Sequence, residues 1–109
     1  MNDKERPRAP DLSNTQKKYL RTLGHNLTPL VYIGREGIAK NVIEAIDTAL
    51  LSHELIKVKI VSTSTVNKHE AAISIPDQTG SQIVQLIGKT LLLYRKSSKR
   101  KKDDQIKLP

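Results

Sequence analysis

The sequence predicts an α/β protein of the α+β two-layer class, with the order α-β-α-β-α-β-β and a four-stranded mixed sheet. Two observations support this prediction. Helical and strand periodicities alternate along most of the chain. Near the end, two apolar runs flank a glycine-lysine pair, which is typical of a β-hairpin. Strands separated by helices favour parallel pairing and a hairpin adds an antiparallel pair, so the sheet is expected to be mixed.

A single domain accounts for the 109 residues. Residues 1–11 are polar and contain prolines, which predicts a disordered lead. Residues 12–95 form the predicted domain, and residues 96–109 a basic, flexible tail. Phe and Trp are absent and hydrophobic residues make up 37% of the chain, so the core is expected to consist of Leu, Ile, Val and Ala.

The charge of the chain favours a polyanionic partner. Lys and Arg number 19 against 11 Asp and Glu, a formal net charge of +8, which suits nucleic acid or an anionic membrane surface. The absence of cysteine excludes disulfides and thiolate metal sites. No apolar run approaches the roughly 20 residues that span a bilayer, and the N-terminus lacks the apolar region of a signal peptide. We expect a cytoplasmic protein with no membrane partner.

The first helix is predicted over Asn14–Leu23 and ends at Gly24. Ser13 and Gln16 have the spacing of a capping box. Apolar residues recur on one face of this helix: Tyr19, Leu20 and Leu23. Basic residues lie largely on the other: Lys17, Lys18 and Arg21.

The middle of the chain predicts a strand, a helix and a second strand. Leu30–Ile33 is a short apolar run after a proline. Helix two is predicted over Ala39–Ser52 from apolar residues at helical spacing. The next strand alternates, with Ile56, Val58 and Ile60 on one face and Lys57 and Lys59 on the other.

A third helix and a hairpin complete the predicted order. Asn67 and Glu70 have the spacing of a helix cap, and Pro76 is expected to limit or kink the helix. Gly88 and Lys89 suit the two-residue loop of a type II′ hairpin.

The segment "LVYIGREGIAKNV", residues 30–42, is the strongest candidate site. Gly34 and Gly37 permit positive φ and let a ligand backbone approach closely. The amides at the start of helix two point outward with the positive end of the helix dipole. Arg35 and Lys40 add full charges, so this combination suits phosphate groups. A plain strand-to-helix turn is the alternative. KH domains clamp a nucleic-acid backbone with a GxxG loop.

Residues 13–95 resemble the CRM domain, whose name abbreviates chloroplast RNA splicing and ribosome maturation, and in particular its single-domain bacterial YhbY-like members. The resemblance lies in "TQKKYLRTLGHNLTPLVYIG", "ELIKVKI" and "IGKTLLLYR". It implies a fold like the C-terminal domain of bacterial translation initiation factor three. It also implies binding of structured RNA, which for bacterial members means precursors of the large ribosomal subunit. The family's GxxG loop maps onto residues 34–37.

Three departures from the family pattern stand out. Glu36 would repel phosphate if it faced RNA, Ala39 is a poor helix cap, and Pro76 interrupts the usual third helix. With these in view, the predicted RNA-binding residues are Gly34, Arg35, Glu36, Gly37, Lys40, Lys17, Lys18, Arg21, Lys57, Lys59, Lys89 and Arg95.

Other chemistries are disfavoured. The "GKT" at Gly88–Thr90 lacks the earlier glycine of a nucleotide-binding loop and precedes a strand. The three histidines, His25, His53 and His69, are far apart in sequence, so no metal site or cofactor is predicted. We expect a non-catalytic protein. The exposed lysines of the second strand suit either an RNA platform or simple solubility, and the three tyrosines favour core packing.

The sequence predicts a monomeric RNA-binding protein that acts on large-subunit ribosomal RNA, or its precursor, within the pre-ribosomal particle. Two alternatives stay open. One is a structural or protein-interaction component of the ribosome, for which basic charge suits the surroundings. The other is a general nucleic-acid-binding protein that also takes DNA.

Overall fold

The structure is a computed structural model that describes residues 11–109. It has three helices and four strands: α1 (Asn14–Gly24), β1 (Pro29–Ile33), α2 (Lys40–His53), β2 (Leu55–Ile60), α3 (Lys68–Thr79), β3 (Gln82–Ile87) and β4 (Thr90–Tyr94). The sheet order is β1-β2-β4-β3, with β1 parallel to β2 and the other pairs antiparallel. The predicted element order and mixed sheet are confirmed. The predicted N-terminal lead lies, apart from Asp11, outside the described residues.

Different helices cover the two faces of the sheet. α2 and α3 contribute Ile46, Leu50 and Ile75 to the main core, which includes Leu91 of β4. α1 packs on the opposite face, in a second cluster of buried residues: Leu12, Leu20, Leu55, Val84, Leu92 and Tyr94. Leu91 and Leu92 fall in different clusters because successive strand side chains point to opposite faces. The sheet therefore has helices on both faces.

α1 begins and ends for different reasons. The Ser13 hydroxyl accepts the Gln16 amide at 3.1 Å and the Gln16 side chain accepts the Ser13 amide at 3.0 Å, which confirms the capping box. At the other end, Gly24 is buried, and a Cβ there would lie 2.8 Å from methyl carbons of Leu92. Glycine thus allows close approach of α1 to β4, whereas the C-cap residue, His25, keeps a right-handed conformation.

α3 continues past Pro76 to Thr79, so this proline does not limit the helix. Asn67 caps the first turn by accepting the amides of His69 and Glu70. The last turn closes when the Gly80 amide donates to the Pro76 carbonyl at 2.9 Å, with Gly80 in the left-handed region. Burial of Thr79 against the domain holds this last turn in place.

The C-terminal segment, residues 96–109, is docked on the domain and differs from the flexible tail expected from its basic composition. Glu54, the fully buried C-cap residue of α2, accepts the amides of Ser97 at 2.8 Å and Ile106 at 2.7 Å. Ile106 and Leu108 pack against the α1-side cluster. The packing of Ile106 and Leu108 and the hydrogen bonds to Glu54 therefore hold a segment that its run of lysines predicts to be mobile.

Candidate nucleic-acid interface

Three connections meet at one edge of the sheet. Because β1 and β2 are parallel, residues 34–39 and 61–67, which follow them, emerge at the same edge. The β3–β4 turn lies beside them, since the Ile60 amide donates to the Lys89 carbonyl at 2.8 Å. This turn confirms the predicted hairpin, with a φ of +56° at Gly88. We call residues 34–39, 61–67 and 88–89 the loop edge.

The GxxG segment forms a tight turn at the loop edge. The Gly37 amide donates to the Gly34 carbonyl at 3.1 Å, which leaves Arg35 and Glu36 exposed at the tip. Gly37 has a φ of +73°, and a Cβ there would lie 3.4 Å from Val66. A Cβ on Gly34 would meet nothing within 4 Å. Only Gly37 therefore needs the conformational freedom of glycine; Gly34 leaves open space at the turn.

The start of α2 has no side-chain cap. Val42 and Ile43 both donate to the Ala39 carbonyl, and Ala39 offers no side-chain acceptor. The amides of Lys40 and Asn41 precede the first hydrogen-bonded turn and find no acceptor within residues 11–109. No acidic residue occupies the first turn of α2. The positive end of this helix dipole is thus open, in contrast to α3, which Asn67 caps.

The cations at the loop edge have no carboxylate partner among residues 11–109. Ion pairs between described residues join Arg95 to Asp47 and Arg100 to Glu54. Four exposed cations at or next to the loop edge take part in neither pair: Arg35, Lys40, Lys59 and Lys89. Glu36 neighbours Arg35 in the turn without forming an ion pair with it. Unpaired charges of one sign attract a polyanion over several ångströms.

A second group of predicted cations belongs to α1 and the strand below it. Gln16 donates to the Pro109 carbonyl, so the flank of α1 that holds Gln16 faces the C-terminal segment. Each residue turns a helix by about 100°, which places Lys17 and Arg21 on the opposite flank, with Lys18 pointing outward. Lys57 lies partly buried under the end of α1 and donates to the His25 carbonyl at 3.4 Å.

Arg95 lies apart from the other predicted RNA-binding residues. It follows β4 at the edge opposite the loop edge. Its guanidinium donates to the Asp47 carboxylate at 2.6 Å and to the Thr79 carbonyl at 2.6 Å. These bonds tie α2 to the end of α3, so the structure gives Arg95 a clear role in holding the two helices together.

The prediction of core packing fits one of the three tyrosines. Tyr94 is buried, and its pKa is raised above the usual value by burial and by the charge of Glu54. Tyr19 and Tyr32 are exposed by 39% and 55%. Tyr32 alternates with buried Val31 and Ile33 in β1. The alternation of side chains along a strand indicates that Tyr32 points to the face opposite Val31 and Ile33.

A model of the CRS1/YhbY (CRM) domain matches residues 12–95, which is most of the chain. The chain belongs to the CRM domain family. No helix among residues 11–109 is long and apolar enough to span a membrane.

Relatives of this CRM protein cover nearly the whole chain. "Probable RNA-binding protein YqeI" of Bacillus subtilis is 39% identical over 90% of this chain and 99% of its own length. "RNA-binding protein" of Haemophilus influenzae is 40% identical over 83% of this chain and 91% of its own length. The solution structure of protein SAV1595 of Staphylococcus aureus, described as an RNA-binding candidate, is 40% identical with a TM-score of 0.74. It covers 91% of this chain and 100% of its own. None of these names describes an enzyme.

Proposed function

We propose that this CRM protein binds structured RNA through the loop edge and the basic flank of α1, without catalysing a reaction. The observation that supports this most is the convergence at the loop edge of a glycine turn, an uncapped helix N-terminus and unpaired cations. The names of its relatives as RNA-binding proteins agree with it.

The phosphate contacts follow from the geometry of the turn. Gly34 leaves space for an RNA backbone. The amides of Lys40 and Asn41 have no acceptor among residues 11–109 and can donate to a phosphate. Arg35 and Lys40 then add charge-assisted hydrogen bonds. Lys17, Lys18 and Arg21 extend the contact along α1. If about five phosphates are neutralised, the logarithm of the binding constant should fall with the logarithm of salt at a slope near −4.

Gly34 gives the sharpest test, because substitution there strains no backbone. We expect Gly34→Asp to weaken binding of an RNA hairpin at least tenfold, since a carboxylate would face the phosphate. Gly34→Ala adds a methyl group without charge and should weaken binding less than Gly34→Asp does. Equal affinity of the two folded variants would contradict the loop-edge model. Gly37 is unsuitable, because any side chain there would also strain its φ of +73°.

A charge reversal gives an independent comparison. Arg35→Glu should weaken binding and lower the salt slope by about one. Lys107→Glu makes the same type of change at an exposed position in the C-terminal segment and should leave both unchanged. If both substitutions weaken binding equally, the attraction is a property of net charge and not of the loop edge.

The finer part of the proposal is that the protein acts in the cytoplasm on precursors of the large ribosomal subunit. RNA crosslinking in extract fractionated on a sucrose gradient tests this. Crosslinks to one region of large-subunit ribosomal RNA in pre-subunit fractions would support an assembly role. A stoichiometric presence in mature ribosomes would favour a structural component instead. Scattered crosslinks with equal affinity for DNA would favour a general nucleic-acid binder.

A further inference from the structure

One row of side chains on the α1 side of the sheet is left uncovered by α1. The pairing register joins four residues across all four strands, and we call this row the open strip: Tyr32, Lys59, Thr90 and Ile87. Tyr32 is 55% exposed, Ile87 is 61% exposed, and Lys59 is exposed between them. α1 and the C-terminal segment cover the part of this face around Leu92, farther from the loop edge.

The packing of residues 11–109 does not account for the exposed ring of Tyr32. Its ring lies outside both buried clusters. Its hydroxyl finds no hydrogen-bond partner within residues 11–109. Tyr32 instead lies beside Lys59 of the neighbouring strand, and neighbouring strands are about 4.8 Å apart. It also precedes the Gly34 turn by two residues, a distance of about 7 Å along a strand.

We propose that Tyr32 stacks on an unpaired base of the bound RNA and that Lys59 contacts the phosphate of the same nucleotide. This inference rests on the proposed function and extends it to the type of RNA: a structured RNA with an unpaired nucleotide beside the helix that the loop edge binds. Aromatic side chains next to cations are the usual platform for unpaired bases. A ribosomal protein is the competing occupant. The strip has no carboxylate of its own, and Lys59 forms no ion pair within residues 11–109, which favours RNA.

Binding of two RNA probes tests the proposal: a hairpin with an unpaired loop, and a fully paired duplex with the same number of phosphates. We expect the parent protein to prefer the hairpin. Tyr32→Ala should lower affinity for the hairpin about tenfold, or about 1.4 kcal/mol, and should change affinity for the duplex little. The salt slope should stay the same, because Tyr32 neutralises no phosphate.

Two substitutions serve as controls. Tyr32→Phe keeps the aromatic face and should bind the hairpin within about twofold of the parent. Tyr19→Ala removes the other exposed tyrosine, on α1, and should have no effect. An unchanged affinity of folded Tyr32→Ala for the hairpin, while Gly34→Asp still weakens binding, would overturn stacking and leave the proposed function intact. Failure of the parent protein to bind either RNA would overturn both.

The identity of the occupant has its own test. The chain contains no cysteine, so Ile87→Cys gives one site for a photocrosslinker at the far end of the open strip. In cell extract we expect the major adduct to contain RNA. An adduct with protein alone would overturn the assignment of the strip to RNA.

Discussion

The most demanding prediction about stability concerns Glu54. Its buried carboxylate, at the end of α2, holds the C-terminal segment. Its side chain is fully buried and accepts the amides of Ser97 and Ile106, and Arg100 approaches it at 3.3 Å. Glu54→Ala would leave both amides without their acceptor or release the segment. Each unsatisfied buried amide costs about 1–3 kcal/mol. Release would instead expose the apolar surface that Ile106 and Leu108 cover.

The variant adopts whichever of these two states has the lower free energy, which limits the loss of stability. We therefore expect a decrease of about 2–4 kcal/mol in the free energy of unfolding. For a domain of this size, that corresponds to a decrease in melting temperature of about 10–20 °C. Thermal unfolding followed by circular dichroism measures this change. Hydrogen exchange locates it, because the amides of Ser97 and Ile106 should lose protection before the strands do.

Backbone conformation at Glu54 supplies a control for this experiment. Its φ of +64° and ψ of −38° lie in a sparsely populated region for a residue with a side chain, which costs about 1 kcal/mol or more. Glu54→Gly removes the carboxylate and this strain together, so it should be about 1 kcal/mol more stable than Glu54→Ala. A melting temperature within about 2 °C of the parent for Glu54→Ala, with unchanged exchange at Ser97 and Ile106, would refute the assigned role.

Three further predictions concern stability. Gly37→Ala should destabilise the protein by about 1 kcal/mol in urea unfolding because φ is +73°, whereas Gly34→Ala should change stability little. Gly24→Ala should cost about 1–3 kcal/mol by the same measurement, because its Cβ would lie 2.8 Å from methyl carbons of the buried Leu92. Tyr94 should ionise above its usual pKa of 10.0, as phenolate absorbance would show. The folded state then keeps the proton longer than the unfolded state, so stability should fall as pH rises above about 10, and Tyr94→Phe should remove this dependence.

Local sequence patterns were sufficient for most of the fold. The capping box of Ser13 and Gln16 spans three residues, and the turn at Gly88 spans two, so both depend on near neighbours alone. The alternation of lysines with apolar residues in β2 predicted its buried face for the same reason. Pro76 shows the limit of this reasoning. Burial of residues on either side of it holds a helix that the local preference of proline disfavours.

Features that the sequence did not reveal depend on residues far apart in the chain. Glu54 and Ile106 are separated by 52 positions, and Arg95 and Asp47 by 48. No periodicity relates such residues, so composition alone made the C-terminal segment resemble a mobile tail. Tyr32 was misplaced for a different reason. The alternation along β1 indicates which face Tyr32 occupies. Only the sheet order and register show that Tyr32 belongs to the open strip, which no helix covers.

Ion pairs between residues far apart in the chain also decide which cations can act on RNA. Arg95 and Arg100 lie at the end of the sheet opposite the loop edge, and each has a carboxylate partner. A cation that is already paired releases few counterions when RNA binds, so it contributes to stability more than to salt-dependent affinity. Arg35 and Lys40 have no such partners among residues 11–109, and they adjoin the free amides of α2. Ion pairing therefore separates Arg95 and Arg100 from Arg35 and Lys40, although all four count equally in the net charge of +8.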